Sequence, residues 1–277
     1  MPRANRHFLP GRIWHITHRC HKKEFLLKFR RDKRLWIHWA LQAKIRFGLA
    51  ILNFMITSNH VHLLATILRS RGRPDALPRA LQLIESRVGQ AFNARKERHG
   101  AFWEDRYHAT AIEDGLQLAH CLTYIDVNMV RAGVVRHPAE WPFCGYYELA
   151  REVASPPLQR RRGFLVDSDA LLELTGSHDI ATHLARRTEW IDAAIRKGRL
   201  EREPLWTESI AVGSEPFLRS FRDELGARIG AAEIVRAGAA DDDVTVLRRT
   251  RGNPIIVFGR ENAVPKPGTT RNEGLTY

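Results

Sequence analysis

The sequence predicts an α+β fold, in which a ferredoxin-like, split βαβ antiparallel sheet carries helices on one face and is followed by a mainly helical C-terminal extension. Two observations lead to this prediction. Over residues 12–133, segments with strand-like alternation and segments with helical spacing follow one another in the order β-α-β-β-α-β-α. From about residue 150, short helical patterns replace this order. Such an arrangement leaves one face of the sheet free for a functional site.

The first four elements are predicted from alternation and spacing. Residues 12–20 alternate and are rich in β-forming residues, which indicates a strand. Residues 28–47 have apolar residues at the spacing of an amphipathic helix. The apolar run 49–58 predicts a second strand, and residues 60–67 predict a third after a turn at Asn59.

The next three elements complete the split βαβ pattern. Residues 77–100 are predicted to form a long helix, because their apolar residues share one helical face. A fourth strand is expected near residues 107–112. A helix over residues 114–133 follows, with Asp114 as its N-cap and Gly133 after its end.

Composition and periodicity divide the chain into four parts. We predict a first domain over residues 1–150, a linker with adjacent prolines and a basic run over 151–163, a mainly helical extension over 164–259 and a disordered tail over 260–277. Within the extension we expect three helices and then two extended segments, at 167–176, 177–198, 214–226, 244–249 and 253–259.

The net charge of +13 is concentrated at the N-terminal end of the chain. Residues 1–47 contain 13 Lys and Arg against 2 Asp and Glu, whereas the rest of the chain is nearly neutral. A localised basic surface suits a polyanion, and nucleic acid is the first candidate. A solvated arginine-rich surface and an anionic membrane surface are the alternatives.

The sequence has no stretch of about 18 uncharged apolar residues, and its N-terminal segment lacks the apolar core of a signal peptide. We therefore expect a cytoplasmic protein. The three cysteines, Cys20, Cys121 and Cys144, are far apart and form no C-x-x-C pair, which predicts reduced thiols rather than a disulfide framework.

Two histidines two residues apart, His60 and His62, lie within an apolar run. In a strand, both imidazoles would point to the same face. They are either part of a half-exposed surface or two ligands of one divalent metal ion. Three further histidines, spaced by three, cannot share one strand face, and we expect them to be surface or DNA-facing groups: His15, His18 and His21.

The helix predicted over residues 114–133 carries Tyr124 and Asn128, which are four residues apart and so lie on one helical face. Such a pair is often only half buried and structural. The pair could take part in a chemical reaction if this helical face is directed towards the histidine pair, which the split βαβ layout allows.

Three motifs together resemble a known family. In chain order they read SNHVHLL, AFWEDRYHA and YIDVNMVRAGVV. They resemble the REP-associated tyrosine transposases, which are relatives of the single-tyrosine HUH transposases of small insertion sequences. The opening segment FLPGRIWHITHRC is similar to the first strand of that family, and the resemblance covers about residues 7–150.

The resemblance implies an HUH transposase-like catalytic domain with defined site residues. His60 and His62 would be metal ligands, Asn128 the polar residue that completes the metal site, and Tyr124 the nucleophile. Members of the family bind Mg²⁺ or Mn²⁺ and cut single-stranded DNA at palindromic REP hairpins, leaving a 5′-phosphotyrosine link and a free 3′-OH. Met129 stands where the family usually has proline, which affects the expected pose of Asn128.

Four cations near the first strand are predicted to contact DNA phosphates: Arg12, Arg19, Lys22 and Lys23. The expected partner is single-stranded, hairpin-forming DNA, bound by a monomer or a homodimer. The alternative is a REP hairpin-binding protein that has lost its cutting activity. A third hypothesis, an H-x-H metallohydrolase on a barrel, would need repeated βα units, which the chain after residue 70 does not contain.

Overall fold

The structure is a computed structural model that describes residues 8–67, 73, 75–155, 163–198, 200–237 and 244–250. Its strands are β1 Ile13–Arg19, β2 Ala50–Ile56, β3 His60–Thr66, β4 His108–Ile112, β5 Ala211–Gly213, β6 Ala232–Arg236 and β7 Thr245–Arg249. Its helices are α1 Arg30–Phe47, α2 Ala76–Arg95, α3 Leu116–Asp126, α4 Asn128–Arg131, α5 Gly145–Ala154, α6 Ser168–Thr175, α7 Ile180–Arg196, α8 Leu205–Glu208 and α9 Glu215–Leu225. None of these helices combines the length and the apolar character needed to cross a membrane.

The first four strands form an antiparallel sheet in the order β2-β3-β1-β4. Helix α1 connects β1 to β2, and α2 connects β3 to β4, so each connection passes over one intervening strand. This is the split βαβ arrangement that the sequence predicts, and the α+β fold class is confirmed. The register of β1 and β3 places Thr17 opposite His62 and Arg19 opposite His60, so polar residues of both strands meet at one end of the sheet.

Helices α1 and α2 pack against each other and cover one face of this sheet. Apolar residues of that face alternate along the strands, such as Ile16 on β1 and Leu63 on β3. They line the same small cavity as Trp36 of α1 and Ile84 of α2, and all four side chains are at most 2% exposed. Burial of apolar surface contributes about 25 cal/mol per Å² to stability, so this layer stabilises the domain.

The opposite face, which the sequence predicts to be uncovered, is covered as well. Helix α3 contacts β2 and β4, helices α5 and α6 contact β2, and the short α8 contacts β1 and β4. His15 of β1 and Leu64 of β3, which pair in register and point to this face, are completely buried. The candidate site therefore lies in a closed layer between the sheet and the helices that cover it.

The single helix predicted after β4 is divided into α3 and α4. The division falls at Val127, which has φ −75° and ψ 4°, and α4 begins at Asn128. The N-cap of α3 is Gly115, with φ 66°, and not the predicted Asp114. Gly133 follows the end of α4 with φ 68°, as expected for a residue that terminates a helix.

The extension is mainly helical in its described part, but it also enlarges the sheet. Strand β5 pairs in parallel with β4, and β7 and β6 follow on its other side. The three predicted helices are α6, α7 and α9, and the extended segment 244–249 is β7, whereas the sequence does not predict β5 and β6. Helix α5 continues to Ala154, past the start of the linker predicted at residue 151. The segment 253–259 and the tail 260–277 lie outside the described residues, and the domain division stays a prediction.

The three cysteines are buried and free of disulfide bonds, as predicted. Burial raises the pKa of Cys20 and of Cys144 to about 12, and it raises the pKa of Cys121 well above its ordinary value. The thiols are therefore protonated at neutral pH, and they act as small apolar groups in the core.

Candidate metal and nucleophile site

The two histidines of β3 lie beside the start of α4. The ring centroids of His60 and His62 are 5.0 Å apart. The Nε2 atom of His62 lies 3.0 Å from the Nδ2 atom of Asn128, the first residue of α4. The division of the helix at Val127 thus places a carboxamide at a helix start, directly against the strand that carries the histidine pair.

Tyr124 lies in the last turn of α3, beside the same cluster. Its ring centroid is 6.1 Å from that of His62 and 6.1 Å from that of Trp206 in α8. Its side chain is only 4% exposed. The structure therefore brings His60, His62, Tyr124 and Asn128 together, while the chemical roles of these residues stay predictions.

Hydrogen bonds fix the proton position on His60. Its Nδ1 atom lies 2.8 Å from Oδ1 of Asn59 and 2.9 Å from Oγ1 of Thr57. Because a carboxamide oxygen only accepts, Nδ1 of His60 carries the proton and Nε2 keeps a lone pair. The carboxamide nitrogen of Asn59 donates to the carbonyl of Lys23 at 3.2 Å, which holds the oxygen in this orientation. An imidazole in this form can bind a metal ion.

The expectation that His15 and His18 are surface or DNA-facing groups is wrong. His15 is completely buried, with its Nε2 atom 2.9 Å from Nδ1 of His62 and its Nδ1 atom 2.9 Å from the carbonyl oxygen of Trp206. His18 is buried on the opposite face of β1, where its Nδ1 atom lies 3.0 Å from a carboxylate oxygen of Glu85. The helices that cover both faces of the sheet are the reason for this burial.

The histidines of the site are neutral at neutral pH. Burial lowers the pKa of His15 and of His60 to about 3, and it holds the pKa of His62 well below its ordinary value. The positive charges of Arg19 and Arg131 act in the same direction on both histidines of β3. Neutral imidazoles have the lone pairs that metal binding requires.

The phenol of Tyr124 is subject to two opposing influences. Burial raises its pKa above the ordinary value, whereas the guanidinium groups of Arg131 and Arg202 act to lower it. The guanidinium carbon of Arg131 lies 4.4 Å from the centroid of the Tyr124 ring, and its Nε donates to the carbonyl of Leu200 at 2.8 Å. The phenol is therefore protonated at neutral pH, and Arg131 is placed to stabilise a phenolate.

The side chains of the site fit a divalent cation such as Mn²⁺ or Mg²⁺. Imidazole nitrogens suit first-row transition-metal ions, and carboxamide oxygens suit hard divalent ions such as Mg²⁺. Ligands in an octahedron around Mg²⁺, with bonds of about 2.1 Å, lie about 3 Å from their neighbours, and the polar atoms of His62 and Asn128 are 3.0 Å apart. A half-turn of the Asn128 carboxamide would present its oxygen. Within the described residues, no group of three or more His, Cys, Asp or Glu is arranged to hold a metal ion, so the third protein ligand would be this amide.

The four cations predicted to contact DNA lie in two places. Arg19 ends β1 beside the histidine pair, and Lys22 and Lys23 are exposed in the turn that follows. Arg12 precedes the other end of β1, where it forms an ion pair of 2.9 Å with Glu224 of α9. Three of the four therefore border the candidate site, and Arg12 is engaged with the extension.

The sequence gives no sign that His15 and Trp206 belong to the site. His15 and Trp206 are 191 positions apart in the chain, and no spacing rule connects them. Arg131 does leave a signal, because it follows Tyr124 by seven residues, two helical turns, within the same motif.

Comparisons with known proteins show what part of the chain is similar to a family. Residues 12–128 match the family model of IS200-like transposases, and this span includes β1, β3 and α3. No curated protein sequence is significantly similar to the chain. Among solved structures, a REP-associated tyrosine transposase bound to a REP hairpin is similar, with a TM-score of 0.47 and 20% identity over 56% of this chain and 89% of that chain. Residues 12–128, less than half of the chain, are therefore similar to the IS200-like transposases.

Proposed function

We propose that this chain is a metal-dependent transposase that cleaves and rejoins single-stranded DNA at palindromic, REP-like hairpins. The observation that carries the proposal is the convergence of His60, His62, Tyr124 and Asn128 from β3, α3 and α4. The similarity of residues 12–128 to the IS200-like transposases supports the class of reaction. The resemblance of three motifs to the REP-associated members supports hairpin DNA as the substrate.

Tyr124 would supply the nucleophile. Its Oη atom attacks the scissile phosphorus, a tyrosyl P–O bond forms, and the bond to the 3′ oxygen breaks. The phenol loses its proton and the departing 3′ oxygen gains one, so the products are a 5′-phosphotyrosine and a free 3′-OH. A second 3′-OH can reverse the step and rejoin the strands without ATP. Arg131 assists by stabilising negative charge on the phenol.

Three side chains would hold the cation. His60 and His62 would bind through Nε2 and Asn128 through its amide oxygen, with the Asn59 carboxamide keeping the proton of His60 on Nδ1. When bound, Mg²⁺ or Mn²⁺ supplies charge that polarises the phosphate and stabilises the leaving 3′ oxygen. Met129, which replaces the usual proline of the family, leaves Asn128 against His62 and so does not prevent this role.

The DNA backbone would pass along the turn after β1. Arg19, Lys22 and Lys23 lie in one short segment at this edge of the site, and the carbonyl of Lys23 contacts Asn59, the residue before the first histidine. Basic side chains in such a row position a strand through its phosphates. Arg12 would join them only if it released Glu224.

The test is covalent capture of DNA. Single strands that form palindromic, REP-like hairpins are labelled at the 3′ end, because the fragment 3′ to the cut stays on the tyrosine. They are incubated with protein and Mn²⁺ and separated on a denaturing protein gel. We expect a labelled protein band for the wild type and for Tyr147→Phe, a control on α5, and none for Tyr124→Phe. An adduct that persists in Tyr124→Phe would contradict the assignment of the nucleophile.

A hairpin-binding protein without cutting activity is the second candidate, and one observation favours it. Tyr124 is only 4% exposed, with Trp206 beside its ring, so a phosphate can reach its oxygen only if covering residues move. The same DNA in a mobility-shift assay separates the two candidates. Tight binding by the wild type without an adduct, in Mg²⁺ and in Mn²⁺, would favour the binding protein.

A further inference from the structure

We propose that His15, held by the main-chain carbonyl of Trp206, is a positioning residue that fixes the tautomer of His62 and so directs the Nε2 lone pair of His62 to the cation. This inference rests on the proposed function, and it assigns a task to the extension, which supplies Trp206. It follows from which groups can donate and which can only accept in a buried row of hydrogen-bonded residues: Trp206, His15, His62 and Asn128.

The row begins at the main-chain carbonyl of Trp206, which can only accept hydrogen bonds. The carbonyl oxygen of Trp206 lies 2.9 Å from Nδ1 of His15 and 3.1 Å from Oγ1 of Thr110. Nδ1 of His15 must therefore be the donor and carry the proton. Because His15 is completely buried, where an imidazolium charge is costly, the ring carries a single proton and its other nitrogen, Nε2, has only a lone pair.

The next contact determines which ring nitrogen of His62 carries the proton. Nε2 of His15 accepts, so Nδ1 of His62, 2.9 Å away, must donate and carry the proton. Nε2 of His62 is then free of a proton, and it faces the donor Nδ2 of Asn128 at 3.0 Å. The opposite tautomer of His62 would set two lone pairs against each other at one ring nitrogen and two N–H groups at the other.

His15 is not itself a third imidazole ligand. Both of its ring nitrogens are engaged, one with Trp206 and one with His62, and its ring lies nearly parallel to that of His62, at 9°. Partners that orient a ligating histidine through its second nitrogen fix its tautomer and increase its basicity. Asn59 does this for His60, and His15 does it for His62.

The first experiment is read on the wild-type protein, and a substitution serves only to assign its signals. Nitrogen-15 NMR of the histidine rings, with His62 assigned by comparison with His62→Gln, reports which nitrogen of each ring carries the proton. We expect His62 in the metal-free protein to be protonated on Nδ1 and bare on Nε2. A proton on Nε2 of His62 would overturn the proposal, whatever the DNA experiments show.

The second experiment measures Mn²⁺ affinity by calorimetry without DNA. His15→Leu removes both hydrogen bonds, and we expect it to weaken Mn²⁺ binding about 10- to 100-fold, as is typical for loss of a partner behind a metal ligand. His15→Gln should bind more tightly than His15→Leu, because its carboxamide can accept from His62 and donate to Trp206. His18→Gln, on the same strand but the opposite face, is the matched control and should bind Mn²⁺ like the wild type.

The results separate this inference from the proposed function. Wild-type affinity in His15→Leu, with an unchanged His62 tautomer, would overturn the positioning role while leaving the cation site in place. A wild type that binds no Mn²⁺ but has the expected tautomer would contradict the cation site and support the assignment of His15. If His15→Leu does not fold, His15→Gln against His18→Gln and the wild-type spectrum still decide the question.

Discussion

Arg131 determines the charge around the candidate nucleophile. Its guanidinium carbon lies 4.4 Å from the ring centroid of Tyr124, and the carbonyl of Leu200 holds its Nε in place. In a site where burial raises the pKa of the phenol, a fixed positive charge at this distance lowers the cost of forming the phenolate. If Tyr124 is the nucleophile, Arg131, together with Arg202, would help a buried tyrosine to attack phosphorus.

We expect Arg131→Gln to slow single-turnover cleavage at neutral pH by about tenfold or more, since a tenfold change in the ionised fraction corresponds to about 1.4 kcal/mol. Loss of the cation raises the pKa of Tyr124 further, so the rate should recover as the pH increases. Arg131→Lys keeps the charge and should retain most of the rate. The measurement is a pH–rate profile for each protein, and a glutamine variant with the wild-type profile would refute this role for Arg131.

Single residues of the site differ in how well the sequence predicts them. His60 and His62, and Tyr124 and Asn128, are found because spacings of two in a strand and four in a helix have a geometric meaning. The partners of these residues are not found in this way. His15 meets His62 only through the pairing of β1 with β3, and it is buried only because a distant segment covers it.

At the level of elements, a buried ion pair fixes α3 to the extension. Asp126, at the end of α3, accepts bonds of 2.6 and 2.7 Å from Arg187 of α7 and one of 3.0 Å from Nδ2 of Asn53 in β2. Both charged side chains are completely buried. Because Asp126 lies midway between Tyr124 and Asn128 in the chain, this pair holds the segment that carries both.

We expect Arg187→Leu to lower the free energy of unfolding by about 3–5 kcal/mol, because it leaves the carboxylate of Asp126 buried without its countercharge. The adjacent Arg186 is exposed, and Arg186→Leu should change the free energy of unfolding by less than about 0.5 kcal/mol. Urea unfolding followed by circular dichroism measures both variants. Equal stabilities of the two would show that the ion pair does not fix the helix.

Helix α7 also contains a histidine that makes the fold sensitive to acid. His183 is 1% exposed, with its Nδ1 atom 3.2 Å from the hydroxyl of Ser177. Burial lowers its pKa to about 4, and the charges of Arg187 and Arg186 act in the same direction. Between pH 6.5 and about pH 4 the unfolded chain therefore binds a proton that the folded chain does not, so stability decreases as the pH falls through this range.

From His183 alone we expect the free energy of unfolding to fall by up to about 3 kcal/mol between pH 6.5 and about pH 4. His183→Gln removes the titrating group and should flatten this part of the stability curve. His178→Gln, two residues before the start of α7 and exposed, is the control and should keep the wild-type slope. The readout is the free energy of unfolding in urea at several pH values, and equal slopes for the two variants would exclude His183 as the cause.

The elements of the first domain are predicted in the correct order, but one boundary is missed. The chain from residue 116 to residue 131 contains no proline or glycine, so its local pattern favours one continuous helix. The division at Val127 depends instead on tertiary contacts: the ends of α3 and α4 are held by Arg187 and by His62. Such contacts come from other parts of the chain and are not encoded in local spacing.

At the scale of the whole molecule, part of the basic N-terminal segment is used inside the fold. The Nζ atom of Lys33 donates to the carbonyl of Leu27 at 2.7 Å, and that of Lys44 donates to the carbonyl of Leu165 at 3.0 Å. Arg12 is paired with a carboxylate of α9. A charge count cannot separate these cations from exposed ones, because the separation depends on tertiary contacts within the first domain and with the extension. The surface available to a polyanion is therefore smaller than the net charge of the segment suggests.

Local sequence patterns also do not predict how the extension adds to the sheet and covers the site. The extension completes the layer over the site through α8 and enlarges the sheet through β5, a strand of three residues of which Ala211 and Val212 pair in parallel with β4. A strand of this length has no detectable alternation, and a parallel pair formed across about a hundred residues leaves no turn signal. The sequence therefore predicts the sheet of the first domain but not the closed layer in which the site lies.

Lys22 and Lys23 are two of the exposed cations of the basic segment, and they are predicted to contact DNA. Both have left-handed backbone conformations, with φ of 50° and 60°, which are uncommon for residues other than glycine. Packing of this turn against the loop before β3 holds it there, through the bond from Asn59 to the carbonyl of Lys23. Both lysines are exposed in a turn that contacts Asn59, the residue before His60.

If both lysines contact phosphates, replacing them with alanine should reduce the magnitude of the slope of log Kobs against log salt by about 1.4, because each neutralised phosphate of a single strand contributes about 0.7. The control removes two exposed cations from α5 and α7, Arg151 and Arg186, and should leave the slope unchanged. Fluorescence anisotropy of a labelled hairpin strand between about 50 and 200 mM salt measures both slopes. An equal reduction in the two double variants would show that the whole positive molecule attracts DNA without a localised contact. A reduction confined to Lys22→Ala/Lys23→Ala would place the strand against the turn after β1.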